Sequence, residues 1–254
     1  MGLWCARCQS ANVPLLIGAG YGITAGKDSE RMKVERVTDY TARRTMMVDT
    51  QVRPSDVTKF PIIEAMLAVP REDYVPTALR EAAYIGESVD LGGGRVVLEP
   101  RTLAKMLDAL AIEPTHVALD VACGLGDSTA VLAKMCEFVV AVEDDADRAA
   151  QAQATLTAQG IDNAAVMQGP LVEGAAKSGP YDIITVQGAV EQVPDALLDQ
   201  LRDGGRIACV FAEGSLGVVR IGHKIDGVVN WFCPGSKKRR RLRFDQDGRF
   251  VRNY

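Results

Sequence analysis

The sequence predicts an α/β protein built on a doubly wound, mostly parallel sheet, and three observations carry that expectation. After Pro114, short apolar runs alternate with amphipathic stretches, the pattern of buried parallel strands covered by helices on both faces. A Gly-x-Gly turn, Gly124 to Gly126, falls between the first of these runs and a helical stretch, at the carboxyl end of a strand, where open α/β sheets bind ligands. The next apolar run ends on Glu143, 17 residues beyond Gly126, near the spacing expected of a carboxylate that holds a ribose hydroxyl.

The elements follow in order. From Ser55, the residues Val57, Phe60, Ile63, Met66 and Leu67 recur at helical spacing, with Ser55 as a cap, Pro61 as a bend or a delay and Pro70 as a stop. A second helix is expected over 100–111, where Leu103, Met106, Leu107 and Leu110 form one face behind Pro100. Between them, Asp90 to Gly94 reads as a glycine-rich loop. Strands are expected at His116–Val121, Phe138–Val142, Ala164–Met167, Tyr181–Val186 and Arg206–Phe211, with helices at Ser128–Met135, Ala146–Gln159 and Asp195–Arg202. Gly217–Ile221 and Gly227–Phe232, around Asp226-Gly227, predict a closing antiparallel hairpin.

Composition bounds the class. The 254 residues are 47% hydrophobic and 24% charged, enough to bury a core in one soluble domain and too apolar for disorder along the whole length. No run of about 18 apolar residues is present to span a bilayer. The net charge of −4 hides an asymmetry: over 234–254, eight basic residues stand against two acidic ones, a local +6 that leaves −10 on the other 233 residues. The six cysteines have no framework spacing, so they read as buried free thiols in a reducing, cytoplasmic compartment. Cys5 and Cys8 have no second pair and no neighbouring histidine, so no metal site is expected. Met32 reads as an alternative start.

The Gly124–Gly126 turn needs a ligand of defined charge. A dinucleotide wants a third glycine where this chain has Thr129, and Asp120 and Asp127 would repel its pyrophosphate. Negative charge around the turn suits a cationic, phosphate-free ligand, and S-adenosylmethionine has an ammonium, a sulfonium and a ribose. The plainer reading leaves Gly124 and Gly126 as a simple turn. Asp144 and Asp145 read as charges at a helix start.

Ala65-Met-Leu-Ala-Val-Pro-Arg71, Asp73-Tyr-Val-Pro76, Ala83-Tyr84, Glu99-Pro100, Leu119 to Ser128, Val142-Glu143 and Gly204-Gly205-Arg206 together resemble the protein-L-isoaspartate O-methyltransferases, over about 46 to 215. The resemblance implies the Rossmann-like sheet of class I S-adenosylmethionine-dependent methyltransferases, preceded by an N-terminal helical segment. It implies methylation of a carboxylate in damaged protein or peptide, with S-adenosylmethionine as cofactor and a protein or peptide as partner. It divides the chain into an extension at 1–31, a helical, substrate-side segment at 32–112, a cofactor domain at 113–232 and a basic tail at 233–254. Carried onto this sequence, the cofactor set is Asp120, Ala122, Gly124, Gly126, Ser128, Glu143, Asp144, Gly169, Pro170, Leu171 and Gln187.

The chain departs from the family pattern in the substrate loop. Where the family has Gly-Gln-Thr-Ile-Ser, this chain has Gly94-Arg-Val-Val-Leu98. Val96 and Leu98 thus replace two hydroxyl donors that a buried carboxylate wants. Arg95 is the candidate replacement, through its two-pronged guanidinium, against the plainer reading of a solvated loop arginine. Ala122 stands for the first glycine of the turn, and Gly169-Pro170-Leu171 for a Gly-Asp-Gly whose carboxylate would face the adenine. The alternative is therefore a cofactor-binding relative without isoaspartyl activity. Lys237 to Arg243 raises a nucleic-acid patch, but lacks interleaved aromatics and reads better as a solvated tail.

Overall fold

A computed structural model describes residues 39–213 and 216–233, together with the backbone of two short strands, Arg243–Phe244 and Phe250–Val251, paired antiparallel. The N-terminal extension with its Cys5–Cys8 pair lies outside the described residues, as does Lys237 to Arg241 of the basic run.

The helical segment begins one element earlier than periodicity suggested. Helix α1 spans Tyr40–Met47, capped by the Asp39 carboxylate accepting from the Ala42 N–H at 3.0 Å, and passes into a π-helical stretch, Val48–Val52. Helix α2 spans Phe60–Ala68. Ser55 does not cap it: the Ser55 hydroxyl donates to the Gln51 carbonyl at 2.7 Å, and Pro61 sits in the first turn. Proline lacks the N–H that a first turn leaves unpaired anyway, so of the two expected effects the structure shows the delay, a helix that starts at Phe60, and no bend.

The glycine-rich stretch also corrects the expectation of a loop. Strands β1 (Val89–Gly92) and β2 (Arg95–Val97) form a two-stranded antiparallel hairpin. Its turn is possible because Gly92, Gly93 and Gly94 all take positive φ. Helix α3 (Pro100–Leu110) follows, burying Leu103, Met106, Leu107 and Leu110 as its spacing predicted.

The sheet proper runs β3 (Val117–Val121), β4 (Phe138–Glu143), β5 (Ala164–Gln168), β6 (Tyr181–Val190), β7 (Leu201–Glu213), β8 (Leu216–Ile225) and β9 (Val228–Phe232), with helices α4 (Asp127–Ala133), α5 (Ala146–Ala158) and α6 (Asp195–Asp199). Its spatial order is β5-β4-β3-β6-β7-β8-β9, parallel through β7 and antiparallel beyond. The order reverses between β3 and β6, which opens the crevice where such sheets take ligands. The closing hairpin turns at Asp226-Gly227, both with positive φ, as an Asp-Gly pair between strands should. Helix α6 ends three residues short of expectation, because Leu201 already pairs with Tyr181 as the start of β7.

One core lies on each face. Helices α2, α3 and α4 cover one side, with Ile62, Leu107 and Leu132 packing against Ala118, Val139 and Ile183. On the other, Leu119, Val140, Ile184, Cys209, Phe211 and Trp231 pack together, Phe211 and Trp231 edge to face with centroids 5.1 Å apart. Among the described residues no helix is long and apolar enough to cross a membrane.

Candidate functional site

The site forms at the carboxyl ends of β3 and β4. After Val121 the chain turns through Ala122, Gly124 and Gly126, all with positive φ (62°, 58° and 97°). Amide N–H groups of Ala122 and Cys123 donate to the Val142 carbonyl at 2.8 and 3.3 Å, tying the turn to β4. Gly126 is the N-cap of α4. A side chain at Gly124 would stand 2.9 Å from Leu91 of the β1–β2 hairpin. The hairpin therefore lies over the turn, and glycine is needed both for the backbone shape and for the close approach.

Asp120 is fully buried beneath this turn. Its Oδ2 accepts from the Ser128 hydroxyl at 2.6 Å and the Thr129 hydroxyl at 2.7 Å; its Oδ1 accepts from the Thr185 hydroxyl and the Gln187 amide, both at 2.8 Å. Burial pushes the Asp120 carboxyl up, and the Ser128, Thr129, Gln187 and Thr185 donors oppose that shift. With all four acceptor positions filled, Asp120 braces the turn and β6 from below. Ser128 and Gln187, predicted to face the ligand, point inward to the same carboxylate. Thr129 and Thr185 were not among the expected site residues; for Thr129 the available signal was a pair of hydroxyl residues in the first turn of α4 after an acidic strand residue, and for Thr185, inside β6, spacing offered none.

Glu143, at the end of β4, is also fully buried. Its Oε2 accepts from the Gly124 N–H at 2.9 Å. Oε1 accepts from Arg95 Nε at 3.2 Å, Arg148 Nε at 3.3 Å and the Asp145 N–H at 3.4 Å. Asp144 receives the second arm of Arg95 at 2.8 Å. Its carboxyl is held low, by the Glu143 side chain first and by Arg95 next. Asp145 caps α5, accepting from the Arg148 N–H at 2.9 Å. Arg148 escaped sequence reasoning, although it follows Asp144 by four residues on a helix.

Arg95 is thus neither a solvated loop side chain nor a free guanidinium: it is 13% exposed and paired with Glu143 and Asp144. Val96 is partly buried against the core and the Leu98 side chain is buried in it, so neither offers the site a donor. The Leu98 carbonyl is taken by Arg71, whose guanidinium also donates to the Ala83 carbonyl and pairs with Asp127 in the first turn of α4. This buried junction, which ties the segment after the β1–β2 hairpin to the first turn of α4, was likewise missed. Gly169 follows β5, its N–H donating to the Glu143 carbonyl at 3.0 Å; Pro170 is exposed and Leu171 partly buried.

The arrangement suits a ligand with a ribose and a cationic end. A buried carboxylate stands beside a glycine turn that only small backbone can approach, and Asp144 and Asp145 keep the rim acidic. The turn carries no lysine for a phosphate. S-adenosylmethionine fits that set, and Glu143 is the carboxylate that could accept from its ribose.

Comparison with known proteins agrees in sequence and in fold. Residues 43–229 match the family model described as protein-L-isoaspartate(D-aspartate) O-methyltransferase. The chain is similar to protein-L-isoaspartate O-methyltransferase 2 of Anaeromyxobacter sp., 33% identical over 216 residues, which cover 85% of this chain and 88% of that one. It is also similar to the Synechococcus sp. protein-L-isoaspartate O-methyltransferase, 36% identical over 174 residues, 68% of this chain and 71% of the relative. Among solved structures, a Plasmodium falciparum beta-aspartate methyltransferase in complex with S-adenosyl-L-homocysteine superposes with a TM-score of 0.64 at 20% identity, over 78% of this chain and 95% of that one. That likeness shows a shared fold.

Proposed function

The chain belongs to the protein-L-isoaspartate(D-aspartate) O-methyltransferase family, and on that premise we propose that it is an S-adenosylmethionine-dependent O-methyltransferase acting on a carboxylate of damaged protein or peptide, in protein repair in the cytoplasm. The observation that carries this reading is Glu143, buried at the strand end and bonded to the Gly124 N–H at 2.9 Å, which supplies the ribose acceptor where the glycine turn lets a ligand in.

In this reading Gly124, Gly126, Glu143 and Asp144 hold the cofactor, with Ala122 shaping the turn and Gly169, Pro170 and Leu171 on the adenine side. Asp120, Ser128 and Gln187 act one layer below. The chain divides into a substrate-side segment up to 112 and a cofactor domain from 113 to 232. Bound there, S-adenosylmethionine supplies an activated methyl: the carboxylate O–CH3 bond forms as the sulfonium S–CH3 bond breaks. The acceptor is ionised at neutral pH, so no proton has to move and no base is required. The protein's work is alignment and water exclusion, and the hairpin lying over the turn through Leu91 supports both.

Isothermal titration with S-adenosylmethionine, followed by methyl transfer to an isoaspartyl peptide, tests the reading. Binding with carboxyl methylation is the expected result. Absence of binding overturns the cofactor assignment, and binding without transfer points to another acceptor.

A further inference from the structure

The Glu143 carboxylate is crowded. Two oxygens offer about four lone-pair positions. Oε1 already meets Arg95, Arg148 and the Asp145 N–H, while Oε2 meets only the Gly124 N–H. A vicinal diol donating to both oxygens requires one of the guanidinium contacts on Oε1 to be given up.

The two arginines are not equally held. Arg148 stands in the first turn of α5, the helix that Asp145 caps, and also pairs with Asp145 at 3.7 Å and Asp144 at 3.9 Å. Arg95 stands on the β1–β2 hairpin, whose strands pair only with each other. Its remaining carboxylate, Asp144, is half exposed, as are the two carboxylates left to Arg148, and such ion pairs are worth little, so what separates the two arginines is the element each stands on. Arg95 is therefore the group that yields. Once released it presents a planar fork of donors that matches a carboxylate in two bonds, on the hairpin that covers the Gly124 turn. Its neighbours Val96 and Leu98 have no donor of their own.

Resting on the function proposed above, we propose that Arg95 is the acceptor-binding residue and is handed over between two carboxylates: Glu143 holds it until a ribose diol takes Glu143, and it then receives the carboxylate of the acceptor. Cofactor adds first in this scheme. Without it, the cation that would attract the acceptor is neutralised by Glu143 and Asp144.

The test uses the full chain, S-adenosylhomocysteine and an isoaspartyl peptide. Titration calorimetry gives the affinity for S-adenosylhomocysteine, and fluorescence anisotropy of labelled peptide gives peptide affinity with and without it. The unmutated protein is expected to bind peptide at least fivefold more tightly when loaded. Arg95→Ala is expected to bind S-adenosylhomocysteine equally or more tightly, to lose the loading effect on peptide, and to raise the peptide KM at least fivefold with a smaller change in kcat. Arg95→Lys should recover part of the peptide affinity, and Arg95→Gln serves if Arg95→Ala does not fold. Weaker S-adenosylhomocysteine binding by Arg95→Ala, or a peptide KM that rises less than fivefold, overturns the proposal. An unmutated protein that binds S-adenosylhomocysteine but neither binds nor methylates the peptide overturns the acceptor reading itself. That failure is distinguishable because it appears without any substitution.

Discussion

Arg71 and Asp127, 56 residues apart in the chain, form a buried ion pair, and the same guanidinium holds the carbonyls of Ala83 and Leu98. One side chain thus joins the end of the β1–β2 hairpin segment at Leu98, the segment after α2 and the first turn of α4. Burial pushes the Asp127 carboxyl up, opposed by Arg71. Arg71→Ala would leave a charge unpaired in the interior, and the expected loss is about 3–5 kcal/mol. Urea unfolding measures it. Arg71→Met combined with Asp127→Ala should cost less than the two single changes summed, and strict additivity would contradict a direct pair.

The Asp120 network predicts a smaller effect. Thr129→Val keeps shape but removes one of four donors to a fully buried carboxylate, with an expected loss of about 1–3 kcal/mol. Because fewer donors then oppose burial, the Asp120 carboxyl should titrate higher still. A carboxyl raised in the folded state contributes stability that is present below its unfolded value and lost as pH rises through the folded one. The variant should therefore lose most at neutral pH and recover towards acid, as urea midpoints across pH would record.

Ala122 occupies φ 62°, a conformation costing an L-residue about 1–2 kcal/mol. Ala122→Gly relieves it, against about 0.4–1 kcal/mol of added freedom in the unfolded chain. A net gain of about 0.5–1 kcal/mol in unfolding free energy is expected, and a loss would show that the methyl group packs against something essential.

Glu143→Gln removes the charge that receives the Gly124 N–H and the proposed ribose hydroxyls. The loss of about 1.5–3 kcal/mol for hydrogen bonds to a charged group corresponds to roughly 10- to 150-fold weaker S-adenosylhomocysteine binding. Calorimetry with unchanged affinity would exclude Glu143 as the ribose acceptor.

Thiol reactivity should divide by burial. Among the described cysteines, Cys123, Cys136 and Cys209 are buried as expected, whereas Cys233 is exposed. Burial pushes all three interior thiols up, Cys136 to about 12. The thiolate is the nucleophile, so at pH 8 iodoacetamide should label Cys233 readily and Cys123, Cys136 and Cys209 only on unfolding. Peptide mapping of the labelled sites checks this, and early labelling of Cys136 would contradict its placement.

Much of the architecture was legible in the sequence because it is written at short range. Alternating apolar runs announce β3 to β7, Asp226-Gly227 announces the closing hairpin, and Gly124, Gly126 and Glu143 mark the crevice through spacing alone. Helix α1 was not legible, since the apolar positions of Tyr40–Met47 are few. The β1–β2 hairpin was hidden by glycines that suit a loop equally well.

By itself the sequence determined the fold class and the glycine turn, which rest on periodicity and on residues within about twenty positions of one another, and the family, which rests on the order of short motifs from Ala65 to Arg206. Only the tertiary structure decided that Asp120 faces inward to four donors, that Leu98 is buried while its carbonyl serves Arg71, and that Arg95 is held by Glu143 from 48 residues away. The physical reason is that a hydrogen bond or ion pair depends on where two side chains meet in space. Spacing along the chain carries no record of a meeting between a hairpin and the far end of a strand.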